Sequence, residues 1–193
     1  MQFKRWLIVA AMAVVLAAVF AITWGVQGIT EDSTRFLIRF TARSSCIAFL
    51  FAFVAAPLRR QWDSPISQWL SQNRRFLGLS MAVSHTYHAI AFSTLQIAIQ
   101  HQPLHGAPLS ILGYVFLIGM TITSFPSTAK AVGRKAWRVL HTAGMYYFWL
   151  AFVMEFGRRS MQEWGYLVLT LLVVIALIIR LLDRRKFTPI AFN

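Results

Sequence analysis

Apolar and polar positions alternate along this chain on the scale of whole segments. Six long apolar runs, at about 6–24, 36–57, 76–100, 109–126, 137–156 and 164–182, are separated by short stretches rich in charge, proline or glycine. Runs of this length are read as transmembrane helices, since about 20 residues of helix cross the hydrocarbon core of a bilayer. The pattern predicts an all-α integral membrane bundle of six helices forming a single domain over residues 1–193. The first run follows Lys4 and Arg5 as a signal peptide would, but its apolar part is too long for one. Asp63, Pro65 and Trp69 read as a loop, and Ser124-Phe125-Pro126-Ser127 marks the end of the fourth run.

Composition agrees with that reading. Hydrophobic residues make up 58% of the chain, more than an ordinary soluble domain carries. The formal charge of +13 would suggest nucleic acid in a soluble protein, but the basic residues sit at the ends of apolar runs instead of forming one stripe. Most of the 19 Lys and Arg fall in four regions: the N-terminus, the connections after the second and fourth runs, and the C-terminal end. The positive-inside rule puts those regions, and with them both termini, in the cytoplasm of a bacterial-type inner membrane. Cys46 is the single cysteine, which excludes an intrachain disulfide or a thiolate cluster and leaves it a packing role.

The candidate chemistry lies in Arg74–His88, where His85 and His88 stand deep in an apolar run that begins at two arginines. Ten to fourteen residues of helix rise about 15–20 Å, which takes these rings toward the middle of a bilayer. His141 occupies a similar run. Intramembrane histidines are functional candidates, and neutral imidazoles on neighbouring helices suit a b-type heme; the competing reading is packing with interhelical hydrogen bonds. Arg35, Arg39 and Arg43 recur at four-residue spacing on one helical face. There they either meet heme propionates or snorkel to headgroups.

Four pieces in order carry a resemblance: Thr41-Ala42-Arg43 with its apolar run to Pro57-Leu58-Arg59-Arg60; Arg74-Arg75-Phe76-Leu77-Gly78-Leu79 with His88 ten residues after the glycine; Thr123-Ser124; and Trp137-Arg138-Val139-Leu140-His141. Together they resemble the ferric reductase-like transmembrane domain family, and within it the heme-binding membrane subunit that partners a periplasmic methionine sulfoxide reductase. The resemblance implies one or two b hemes, with His88 and His141 as iron ligands. It further implies electron transfer from a cytoplasmic partner protein, a flavin or a membrane quinol to an outer acceptor. No glycine-rich dinucleotide motif occurs in the chain.

Two positions depart from the family pattern. A further histidine is expected thirteen residues after His141, where this chain has Met154. Met154 as a thioether ligand, or His85 exchanging with His88, would replace it; a methionine filling the core is the alternative. His101 and His105 read as a solvated turn. Arg74 stands where the wider group places a second histidine fourteen residues before His88, and a guanidinium binds propionate better than iron. The rival class is a heme-free scaffold of the same fold. A proton or small-molecule carrier through His85 and His88 is a third reading, weakened by the absence of carboxylates beside them.

Overall fold

The computed structural model describes residues 2–103, 108–161 and 163–184, and within these every regular element is helical. In chain order they are α1 (Gln2–Gln27), α2 (Glu31–Gln61), α3 (Pro65–Ser93), α4 (Pro108–Ile122), α5 (Pro126–Val132), α6 (Arg134–Ser160) and α7 (Trp164–Arg184), with a π-helical turn, Thr94–Ile99, extending α3. His105 and the basic tail from 185 onward lie outside the described residues.

Helix starts follow local capping chemistry. Thr30 caps α2 through a reciprocal box with Ser33, satisfying donors that the first turn leaves orphaned. Ser64 does the same for α3 with Ser67, and Pro65 stands at the first helical position, where its missing N–H is no loss. The stretch around Asp63, Pro65 and Trp69, expected as a loop, is therefore largely the first turns of α3. The end expected at Ser124–Ser127 is also a beginning. Pro126 opens α5, and the chain bends by 111° between Leu109–Ile122 and Pro126–Val132.

Among the described residues three helical stretches, Lys4–Gln27, Glu31–Gln61 and Trp164–Asp183, are long and apolar enough to cross a membrane. A fourth arises if α4 and α5 form one broken span. The helices expected as the third and fifth spans, α3 and α6, are less apolar, because arginines and histidines interrupt their apolar sequence. On α7, Val168, Leu171, Ile175, Ile178 and Leu182 lie at helical spacing and are about half exposed. Such a stripe is an interface with lipid or protein rather than with water.

The core lies between α2, α3, α6 and α7. Phe49, Phe53, Phe148, Phe152, Phe156, Met145 and Val173 form its buried centre. Small side chains let α2 and α3 approach closely, and hydroxyls join them: Ser84 Oγ donates to the Thr41 carbonyl at 3.0 Å, and the Ser44 and Ser84 hydroxyls meet at 2.7 Å. Interhelical bonds between small polar residues hold helices together where apolar burial cannot discriminate. At the other edge α7 is fastened to α2. Asp183 accepts a bidentate pair of bonds from Arg60, Gln61 donates to the Ile179 carbonyl at 2.7 Å, and Arg180 donates to the Phe53 carbonyl at 3.1 Å while lying over the Phe53 ring.

Candidate functional site

Two sites emerge, separated along α3. The first holds His85 and His88, one turn apart, with ring centroids 5.4 Å apart. Each ring is tied to α2 through Nδ1. His88 Nδ1 lies 3.2 Å from the Ile38 carbonyl and 3.1 Å from the Thr41 hydroxyl, and His85 Nδ1 lies 2.9 Å from the Ser45 hydroxyl. A carbonyl can only accept, so His88 carries its proton on Nδ1. The Thr41 hydroxyl is directed to the Leu37 carbonyl at 2.7 Å. His88 Nε2 is thereby the bare nitrogen, and a Nδ1–H bond to a backbone carbonyl is the arrangement that orients a metal-ligating histidine. The Tyr114 and Phe148 rings pack on His85 at 5.6 and 5.8 Å.

The second site is a cavity of about 330 Å³ whose walls come from α2, α3, α4 and α6; its polar lining includes Arg74, Arg75, Gln72, Ser124, Trp137 and His141. Gly78 is also in its wall, so His88, ten residues on, lies about 15 Å farther along α3. Thr123 is the hub here. Its hydroxyl donates to the Gly119 carbonyl at 2.6 Å, its Oγ1 meets His141 Nε2 at 3.0 Å, and its own carbonyl accepts from Trp137 Nε1 at 2.9 Å. With the hydroxyl proton committed to Gly119, His141 Nε2–H is the donor, and Trp137 stacks on the same ring with centroids 4.3 Å apart.

Arg74 has no hydrogen-bond or ion-pair partner among the described residues. Arg75 lies over the rings of Trp6, Phe76 and Phe125 at 5.3–6.0 Å, and its Nε is buried without a hydrogen bond.

Other predicted site residues fall elsewhere. Met154 is 58% exposed. Successive helical residues turn by about 100°, so position 154 lies on the face opposite Phe152 and Phe156, which are buried. The structure therefore does not offer its thioether to His88. Arg43 is engaged at the start of α7: it pairs with Glu163, just before the helix, at 3.4 Å and lies over the Tyr166 ring at 4.7 Å, and Arg35 pairs with Glu31 one turn earlier. His101 is exposed in a left-handed backbone conformation. Among the described residues no group of three or more His, Cys, Asp or Glu is placed to hold a metal ion. Thr123, Ser45 and the Ile38 carbonyl, the partners of the histidines, carry no local sequence signal, because each is brought to its ring only by packing.

Compared with known proteins, the chain matches no family model, no curated protein and no solved structure.

Proposed function

We propose that this chain is a six-span subunit of the inner membrane with both termini in the cytoplasm, of the ferric reductase-like kind, that carries electrons on a b-type heme held by His88. One observation carries the reading: the Ile38 carbonyl, 3.2 Å from His88 Nδ1, takes the Nδ1 proton and leaves Nε2 as a lone pair on a partly buried ring. A neutral imidazole so oriented is the usual axial donor to heme iron. When bound, the heme would supply one-electron transfer between ferric and ferrous iron. The chain's own part is to keep His88 neutral, fix its tautomer and exclude water with the aromatic residues around His85.

His141 does not fit the same role as it stands, because Nε2 is bonded to Thr123 and the ring face is covered by Trp137. Its cavity suits the electron donor better. Arg74 and Arg75 face no carboxylate there, and a quinol or a flavin carried by a partner protein would present oxygen acceptors to them.

A heme-free scaffold is favoured by a separate observation: with Met154 on the exposed face, no described residue of α6 stands ready as a second ligand to His88. The two readings part on the spectrum of purified chain, expressed with ample heme precursor. Electron transfer predicts a dithionite-reduced b-type spectrum that His88→Ala abolishes, whereas colourless wild-type protein would leave only the scaffold.

A further inference from the structure

The α5–α6 corner carries a second polar hollow that the proposed electron-transfer role does not use. It encloses about 490 Å³ and is lined by Ala129, Lys130, Arg134, Trp137 and Arg138. The three cations have no hydrogen-bond or ion-pair partner among the described residues, and the sequence contains no Asp or Glu anywhere between Asp63 and Glu155. A hollow lined by three unpaired cations attracts a multiply charged anion, and guanidinium groups match phosphate oxygens bidentately.

The surroundings say what else the ligand contains. Ile122, Phe125, Val132 and Val139 at the same corner are between 38% and 62% exposed. The 111° bend turns α5 away from the direction of α4, so if α4 stands in the bilayer, α5 lies along its surface. Trp137 completes the wall of the hollow, and tryptophan favours the headgroup level because one edge is apolar and the other wet. Unpaired cations ringed by exposed apolar side chains fit a phosphate that brings acyl chains with it.

We propose that this hollow holds the phosphate headgroup of an anionic lipid on Lys130, Arg134 and Arg138, against the ring of Trp137. The inference rests on the membrane reading and not on heme. Because Trp137 also lines the His141 cavity and stacks on His141, the lipid would sit one ring away from the donor site.

Native mass spectrometry of the full chain released from neutral detergent, titrated with phosphatidylglycerol, phosphatidylcholine or inorganic phosphate, tests it. Phosphatidylglycerol should be retained at roughly a hundredfold lower concentration than phosphatidylcholine, since three basic residues at about 1 kcal/mol each correspond to about two decades in affinity. The triple variant Lys130→Gln/Arg134→Gln/Arg138→Gln should lose that preference, while Lys4→Gln/Arg5→Gln/Arg59→Gln, with the same charge change elsewhere, should keep it. Equal loss in both variants would mean diffuse charge attraction and overturn the site, as would full retention in the first. Displacement by inorganic phosphate at matching concentration would overturn the lipid as occupant. Quenching of Trp137 by phosphatidylglycerol with brominated acyl chains, read as the difference between wild type and Trp137→Phe, gives a second readout that needs no charge removal; no difference between the two would overturn the placement against this ring. Heme content measured on the same samples keeps the two proposals apart, since colourless protein that retains the lipid refutes only the heme.

Discussion

Replacing Asp183 with asparagine removes the carboxylate that holds the end of α2 against α7. Asp183 is 9% exposed at its side chain and Arg60 is 52% exposed, so the pair is buried on one side only. A hydrogen bond to a charged group contributes about 1.5–3 kcal/mol. The half-exposed guanidinium keeps part of its hydration when the carboxylate is lost, which discounts the coupling to about 1–2 kcal/mol. The Arg43–Glu163 pair provides the contrast. At 3.4 Å, with side chains 41% and 52% exposed, its coupling should be at most about 0.5 kcal/mol. Two double-mutant cycles, Arg60→Gln with Asp183→Asn and Arg43→Gln with Glu163→Gln, would measure both by unfolding in mixed detergent micelles. Equal couplings, or a larger one for Arg43–Glu163, would refute the argument that burial at α7 sets the strength of this clamp.

Three further outcomes follow from particular contacts. A methyl group at Gly144 would lie 3.3 Å from a Phe116 ring carbon and crowd Met120. Gly144→Ala should therefore lower stability by about 1–3 kcal/mol, seen as a lower melting temperature, with Gly78→Ala near neutral because its methyl meets nothing within 4 Å. Thr123→Val removes the oxygen to which His141 Nε2–H donates. It should cost about 1 kcal/mol of stability, and an isotope-edited NMR spectrum of His141 should show a mixed tautomer. Hydrogen bonds from Arg59 and Gln68 hold the Asp63 carboxyl below its ordinary value. Its stabilising effect is present above the ordinary carboxylate range and is lost as the pH falls through the depressed value, so Asp63→Asn should flatten the loss of stability below about pH 4.

How much of this was legible in the sequence depends on the kind of information involved. The apolar runs of α1, α2 and α7 announce themselves by length, because hydrocarbon thickness sets a minimum. The N-terminal turns of α3 begin at Ser64-Pro65, a cap followed by a proline at the first helical position, a signal that competes with proline's role as a helix breaker. Pro126 carries the same double meaning, since it ends one apolar run and opens α5. The exposed placement of Met154 was within reach, since counting from Met145 along a 3.6-residue period puts it off the buried face. By contrast, Arg43 with Glu163, Arg60 with Asp183 and Thr123 with His141 each join a helix to another helix or to the connection beside one. No local pattern encodes those pairings, which exist only once the helices pack. The histidines could be recognised as chemistry from their position in apolar runs, but their tautomers could not, because each is decided by a carbonyl or hydroxyl on another helix.

The central claim is that His88, fixed by the Ile38 carbonyl, binds heme. The most direct measurement is the ratio of heme to chain in purified protein, by pyridine hemochrome and amino-acid analysis, for wild type, His88→Ala and His141→Ala. The account predicts one b-type heme per chain, absent in His88→Ala and retained in His141→Ala. Wild-type protein without heme, or heme that survives His88→Ala and disappears in His141→Ala, would contradict it.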